Sequence, residues 1–345
     1  MDELSFLKAL RARANSTGHA GNLMPLTGGP ARLSERPTNG SVRLGIGDDC
    51  AVLRPPVGCD VVVTTDFSLE GRHFRRDWHS GTSAGHRCLA RGLSDLAAMG
   101  ARPMAAFLSL ALPAGYTKSS KNRAWLDDFL GGMLQLSMAV NAPLAGGDTS
   151  TAPGDKVFAD IVLTGYVKRG KEMRRSGARP GNWIYITGGL GGAAAELQAL
   201  QAFPRRFLRA TAAENHPHLF PIARLKAGER IREFATAALD VSDGLSTDLH
   251  HLCEESGVGA VVDESSLPLH SLLDDMPWNE ALEKVLHGGE DYELLFTTPT
   301  NAKVPRRVAG VPVTRIGEIT QEKAVFLRTS TGKRRLKAAG WEHVL

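Results

Sequence analysis

The sequence predicts a two-domain α/β (α+β) protein, on three observations. Strand-like and helix-like segments alternate in both halves of the chain. A polar, basic, turn-rich connection, KRGKEMRRSGARPGN (168–182), separates the halves. The length of 345 residues suits two domains of roughly 100–200 residues each. The expected divisions are an N-terminal helix and flexible arm over 1–41, one α/β domain over 42–168 and a second over 169–345.

Each element has its own signal. Leu4, Leu7 and Leu10 recur at helical spacing in residues 1–13, and 15–41 is rich in Gly, Pro, Ser, Thr and Asn, as an arm or loop would be. CDVVVTTD (59–66) is a β-branched run ending in a carboxylate. SAGHRCLARGLSDLAAMG (83–100) puts Leu89, Leu93 and Leu96 on one helical face, and MAAFLSLALP (104–113) is a strand closed by proline. NRAWLDDFLGGMLQLSMAVN (122–141) is a helix, APLAGGDTS (142–150) a short strand and turn, and KVFADIVLTGYV (156–167) a strand. In the second half WIYITGGLGG (183–192) runs from strand into glycine-rich turn, and AAAELQALQAF (193–203) is helical. AALDVSDGLSTDLHHLCEESG (237–257) reads as strand, acidic turn and helix, GAVVDESSLPL (259–269) as strand and loop, and HGGEDYELLFTTP (287–299) as an acidic turn feeding a strand.

Composition excludes several classes. No run of about 18 apolar residues occurs, so no membrane helix is expected. The acidic start MDELSF lacks an apolar stretch, so no secretory signal is expected, and a cytoplasmic location is the default. Four cysteines without a C-x-x-C pair argue against a disulfide scaffold or a structural zinc site. The net charge of +4 is scattered and aromatics make up 6%, which is no nucleic-acid footprint.

What stands out is a series of carboxylates beside Gly, Ser or Thr at the ends of apolar runs. They are Asp48 and Asp49 in GIGDDCAV, Asp66 after VVVTT, Asp95 in GLSDLAAMGA, Asp148 in AGGDTS, Asp240 and Asp243 in LDVSDG, and Glu290 and Asp291 in GGEDYEL. Strand ends and the loops after them are where α/β proteins build sites. Carboxylates without clustered Cys or His suit a hard cation such as Mg²⁺, which is commonly held together with substrate phosphates. Glycines let backbone N–H groups approach phosphate oxygens. The competing reading for any single Asp is a turn residue or helix cap; Asp243 before GLSTDL could simply cap a helix. Asp95 resists it, because a carboxylate inside a helical pattern beside the apolar face wants a partner, and its small neighbours Gly92 and Ala98 leave room for a ligand.

Two motifs are decoys. GYVKRGKE (165–172) fits G-x-x-x-x-G-K, but Glu172 stands where a P-loop needs Ser or Thr. GLGGAA (189–194) follows a strand as a dinucleotide fingerprint would, but no strand-end acid follows about 20 residues on, so a tight strand–helix turn is expected there. No nucleophile–base pair emerges, and the cysteines lie in apolar contexts that favour inert thiols. His73, in EGRHF, stands near a carboxylate strand and two arginines.

In order along the chain, LGIGDDCAV, TTD, EGRHF, LSDLAAMGARP, GGDTS, RSGARPGNWIYITG, LDVSDGLSTDL and GGEDYEL resemble the thiamine-monophosphate kinases. That family belongs to an ATP-binding superfamily shared with aminoimidazole ribonucleotide synthetase, selenophosphate synthetase and a hydrogenase-maturation protein. The resemblance runs from about residue 43 to the C-terminus. It implies aminoimidazole ribonucleotide synthetase-like N- and C-terminal domains, a homodimer through the N-terminal sheets, and ATP in a cleft between domains. The implied reaction moves the γ-phosphoryl of ATP to thiamine monophosphate, giving thiamine diphosphate and ADP. Carried over by position, Asp49, Thr64, Thr65, Asp66, Asp95, Asp148, Asp240 and Asp243 match ligands of several Mg²⁺ ions, with Asp48 in support. Gly147, Asp148, Arg175 and Ser242 match ATP contacts, and His73, Glu290 and Trp341 match substrate contacts. A requirement for a monovalent cation stays open. The 15–41 arm and the 204–221 stretch depart from the family's pattern, and Thr64 stands where Ser is expected. The implied partners are thiamine monophosphate, ATP and a second copy of the chain, with no nucleic acid and no membrane. The alternatives are a sister ATP-dependent enzyme with a different acceptor, a nucleotide-binding protein without catalysis, and a dinucleotide oxidoreductase resting on GLGGAA alone. Selenophosphate synthesis would want a reactive cysteine near the N-terminus, and none precedes Cys50.

Overall fold

The computed structural model describes Leu10, Ala12, Arg13 and residues 40–342. Most of the expected N-terminal helix and nearly all of the expected 15–41 arm lie outside the described residues. Leu10, Ala12 and Arg13 are helical, and the Arg13 guanidinium pairs with Asp127 at 3.0 Å.

The chain divides into two compact units. Over the described residues the first runs to Leu93 and adds Pro103–Lys168 and Phe203–Glu214; the second holds Ser94–Arg102, Arg169–Ala202 and Asn215 onward. In the first, β1 (Val42–Leu44) and β2 (Val52–Leu53) form a small hairpin around GIGDD. Then come β3 (Cys59–Leu69), α1 (Gly81–Ala98), β4 (Arg102–Pro113), α2 (Ser120–Ala139), β5 (Leu144–Ala152) and β6 (Phe158–Lys168). The four long strands form one sheet in the order β3-β6-β4-β5, with β3–β6 antiparallel and β4–β5 parallel. The strand expected to end at 66 continues to Leu69.

Leu89 and Leu93 are fully buried on the inner face of α1. The helix runs close to its neighbours because it carries glycine where they meet. A Cβ on Gly85 would stand 1.8 Å from the Phe129 carbonyl oxygen of α2, and one on Gly92 would stand 2.9 Å from Leu163 of β6. Gly92 therefore packs a helix on a sheet, and the room expected there for a ligand of Asp95 is filled by Leu163. The opposite sheet face stays open, with Val61, Val63 and Phe67 of β3 45%, 64% and 61% exposed.

The second unit contains β7 (Trp183–Thr187), α3 (Gly192–Ala202), α4 (Leu225–Ile231), β8 (Ala237–Asp240), α5 (Leu245–Ser256), β9 (Gly259–Asp263), α6 (Trp278–His287), β10 (Leu294–Thr298), β11 (Arg307–Val308), β12 (Val311–Thr320), β13 (Val325–Thr329) and β14 (Gly332–Arg335). The sheet order is β14-β13-β9-β12-β7-β10-β8, with β11 paired to β12. Pairing is antiparallel except between β13 and β9. Its apolar core joins Ile184 and Ile186 of β7, Leu249 and Leu252 of α5, Val285 and Leu286 of α6, and Leu327 of β13. The architecture is mixed α/β in both units. Among the described residues no helix is long and apolar enough to cross a membrane.

Candidate functional site

In the first unit the acidic hairpin lies against the sheet. Ala51 and Leu53 pack on a cluster of Val42, Ala105 of β4 and Ala145 of β5, three residues before Asp148. Asp49 and Asp148 are exposed. The Asp48 carboxylate accepts the Asp49 N–H at 3.0 Å, and the Asp148 carboxylate accepts the Thr149 N–H at 2.9 Å. Neither Asp49 nor Asp148 forms an ion pair among the described residues. Gly147 has a structural reason of its own: its φ is +150°, and a Cβ there would stand 1.9 Å from the Leu108 carbonyl oxygen.

Strand alternation separates the TTD triplet, since neighbours on a strand point to opposite faces. Asp66 meets Arg91 of α1 at 2.8 Å, so the Thr64 and Asp66 side chains lie on the helix-covered face. The Thr65 hydroxyl donates instead to Asp160 at 2.8 Å, on the open face with Phe67. Thr65 can therefore serve beside Asp66 only through its backbone. Close by, His73 accepts the Leu69 N–H on Nδ1 at 3.0 Å. That bond leaves the ring proton of the neutral imidazole on Nε2.

The second unit gathers the remaining candidates. Its boundary falls inside α1, so Ser94 and Asp95 belong with it. Asp240, at the end of β8, is only 5% exposed and accepts the Ser94 hydroxyl at 2.6 Å. Burial and the facing charge of Asp95 hold the Asp240 carboxyl well above the usual carboxylate range, against the pull of Ser94 and Arg175. A buried carboxylate facing a second, half-buried one is costly without a cation.

After Asp240 the chain makes a tight turn, Ser242-Asp243-Gly244, into α5. Asp243 is not the cap of that helix. Asp248, one turn inside α5 and 3% exposed, accepts the N–H groups of Ser242, Asp243 and Gly244 at 3.0, 3.0 and 3.1 Å on one oxygen. Burial, then Asp240 and Asp243, push its carboxyl up to about 8. Asp243, Asp248 and His251 bring ligand atoms within 4.8 Å of one another.

GGEDYEL docks on this turn. Glu290 N–H bonds the Ser242 carbonyl at 2.7 Å and Tyr292 N–H the Val241 carbonyl at 2.9 Å. Glu290 and Tyr292 hold left-handed φ values of +57° and +51°, a conformation that side chains with a Cβ rarely adopt. The Trp341 N–H bonds the Asp243 carbonyl at 2.9 Å, and its side chain is half exposed. Asp95, Arg175, Asp240, Ser242, Asp243, Glu290 and Trp341 are thus assembled around one strand end and one turn. His218, 3% exposed, holds the Glu290 carboxylate at 3.0 Å.

Sequence reasoning missed Ser94, Asp248 and His218 as parts of this site. Asp248 had a signal: an acid in the first turn of a helix after a glycine-containing bend is a cap pattern. His218 had none, since its partner lies 72 residues on.

Both decoys dissolve. Gly165 lies within β6, so GYVKRGKE opens no phosphate loop, and Glu172 pairs with Arg174. At GLGGAA the acceptor at the helix start is the protein's own side chain: Asp291 accepts the Gly191 and Ala193 N–H groups at 2.7 and 3.2 Å. A Cβ on Gly192 would meet the His270 ring at 2.4 Å.

Comparisons with known proteins identify the family. Residues 47–167 match the AIR synthase related protein N-terminal domain, and 179–330 the corresponding C-terminal domain. A thiamine-monophosphate kinase of Salmonella typhimurium is 39% identical over 81% of this chain and 85% of its own length. The crystal structure of thiamine-monophosphate kinase from Stenotrophomonas maltophilia is 36% identical and superposes with a TM-score of 0.74 over 84% of this chain and 92% of that one. AaThiL complexed with AMPPCP and TMP is 28% identical, with a TM-score of 0.71 over 84% of this chain and 89% of that one. With AIR synthase-related domains in both halves and that identity over four-fifths of its length, this chain belongs to the thiamine-monophosphate kinase family, whose members are ATP-dependent phosphotransferases.

Proposed function

We propose that this chain carries out its family's phosphotransfer by metal-assisted positioning, with no protein general base. The supporting observation is the Asp95–Asp240 pair beside Arg175 and the Ser242–Gly244 turn. The half-buried Asp95 faces the buried Asp240, and the pair offers oxygen donors alone, which fits a hard cation. Asp49, Thr64, the Thr65 backbone, Asp66 and Asp148 of the first unit, and Asp95, Asp240 and Asp243 of the second, would hold Mg²⁺. When bound, such ions screen the repulsion between two phosphate-bearing substrates and the charge on the transferring phosphoryl.

The chain's own residues do the rest. Ser242 and Arg175 meet the nucleotide phosphates, with Gly147 beside Asp148 at the phosphate end. His73 and Glu290 hold the acceptor, and Trp341 offers a half-exposed ring to its aromatic end. Glu290 is oriented by His218 and by its bond to Ser242, so the acceptor contact and the nucleotide contact sit on one rigid turn. The acceptor oxygen belongs to a phosphate monoester with a second pKa of about 6. It is largely ionised at neutral pH, and positioning with electrostatics can carry the rate. AaThiL complexed with AMPPCP and TMP supports ATP and thiamine monophosphate as the pair.

The open sheet face supports a homodimer. Val61, Val63 and Phe67 form an exposed apolar row on an edge strand, which a second copy would cover. Val63→Lys should shift the molecular mass in solution from dimer to monomer; an unchanged dimer would place the interface elsewhere.

The test of the reaction is to mix protein, ATP and Mg²⁺ with thiamine monophosphate and, separately, with thiamine. Thiamine diphosphate from the monophosphate alone is expected, with none from Asp240→Asn. Full turnover in that variant would remove Asp240 from the metal set.

A further inference from the structure

Away from the carboxylates, the second unit carries an open groove of about 980 Å³ between α4, the β11–β12 hairpin and the start of β4. Its charge balance is lopsided. Arg102, Lys226, Arg230, Arg232 and Arg307 line it against two carboxylates, Glu229 and Glu233. Both carboxylates are matched, Glu229 by Arg102 at 2.6 Å and Glu233 by Arg232 at 3.8 Å. Arg232 also donates to the Gly100 carbonyl at 2.6 Å, which fixes it in the wall. Arg307 donates to the Gly310 carbonyl of its own turn at 2.8 Å. Lys226 and Arg230, one helical turn apart on α4, are exposed and their side chains have no partner among the described residues. About three positive charges are left without a counter-charge in one concave surface.

A solvated basic helix face would be flat and polar. This one has apolar wall as well. Phe234, just after α4, is half-buried and held at a tilt against Phe296 with ring centroids 6.0 Å apart. Val308 and Pro305 continue that side of the groove. Uncompensated cations beside a fixed aromatic edge match an anion of charge about three or four joined to a flat ring.

We propose that this groove is a second anion site, taking an organic diphosphate or triphosphate that bears an aromatic ring. Lys226, Arg230 and Arg307 hold the phosphates, and Phe234 and Pro305 hold the ring. None of the metal-binding candidates lines the groove, so binding there needs no divalent ion. The chemistry is shared by thiamine diphosphate, ADP and ATP.

The test is calorimetric titration of the full chain with inorganic pyrophosphate in EDTA at low salt, then with thiamine diphosphate and with ADP. The expected result is a saturable component that Lys226→Glu/Arg230→Glu weakens by about tenfold or more, the size set by losing two charge-assisted contacts. Both residues are exposed, so the variant should fold, and its kcat for thiamine monophosphate should match wild type. Phe234→Leu should weaken the organic diphosphates and leave pyrophosphate unchanged, which separates ring from phosphate recognition. The tighter of thiamine diphosphate and ADP identifies the source. Absence of saturable binding, or equal pyrophosphate affinity in wild type and the double variant, overturns the proposal.

Discussion

Both units carry aspartates close to small residues, and give them opposite surroundings. Asp49 and Asp148 in the first unit are exposed, and among the described residues the Asp48 and Asp148 carboxylates accept only local backbone N–H groups. Asp240 and Asp248 in the second are 5% and 3% exposed, and both carboxyls are held far above the usual range. An exposed carboxylate costs the fold little, because it keeps its water. A buried one carries a desolvation penalty that a cation would relieve. Function and stability are therefore separable in the first unit and entangled in the second.

The widest test of that contrast pairs Asp148→Asn with Asp240→Asn. Each should lower kcat by about 10²–10³-fold, the range for losing one preorganised electrostatic contact. Their thermal midpoints at pH 8 should diverge. Asp148→Asn should leave Tm where it is, whereas Asp240→Asn should raise it, because the amide keeps an acceptor for Ser94 and removes the charge facing Asp95. A fall in Tm for Asp240→Asn would mean the buried charge is compensated, and the contrast would fail.

Asp248 sharpens the comparison, because its work is structural. Its carboxylate collects three N–H groups of the turn that also carries Ser242 and Asp243. Asp248→Ala should destabilise the chain by about 3 kcal/mol, for amides left with poor partners, measurable by urea unfolding. It should also lower activity through the disordered turn. A loss of activity with unchanged stability would make Asp248 a ligand first and a staple second.

Acidity offers a third test. Asp291, turned inward at the start of α3, has its carboxyl raised to about 7 by burial, against the two N–H groups that lower it. A carboxyl whose folded pKa lies above its unfolded value binds more protons when folded. Stability is then greatest near pH 4 and falls as pH rises toward 7, by up to about 1.4 kcal/mol per pH unit for one proton. Asp291→Asn should flatten that slope between pH 5 and 7 in thermal melts, at the cost of one weaker cap bond. An unaltered slope would show that the helix-start amides hold Asp291 ionised.

The strand–helix alternation was legible because β-branched runs and leucine stripes carry their own period, so segments such as 104–113 and 122–141 appear within two residues of their expected places. The last strand, β14, was not, since Lys333, Arg334 and Arg335 form an exposed, charged edge strand with no apolar alternation. In the site, the carboxylates were legible as a series, but their environment was not. The environment of Asp240 depends on Ser94 and Asp95, about 145 residues earlier, and the orientation of Glu290 depends on a histidine in a stretch, 204–221, that departs from the family's pattern. Gly92 shows the limit from the other side: a small neighbour of Asp95 suggested space, and Leu163 fills it.

The smallest effect probes single residues of the first unit. Thr64 and Thr65 are adjacent, equal in chemistry, and separated only by the alternation of β3. Thr65 spends its hydroxyl on Asp160 at the open face, so Thr65→Val should change stability by no more than about 0.5 kcal/mol and leave kcat/KM near wild type. Thr64 shares its face with Asp66. Thr64→Val should cost about 1.4 kcal/mol of transition-state stabilisation, a tenfold drop in kcat/KM, while its fold stays as stable as that of Thr65→Val. Equal kinetic losses in the two variants would mean that the strand presents its backbone, and neither hydroxyl, to the metal.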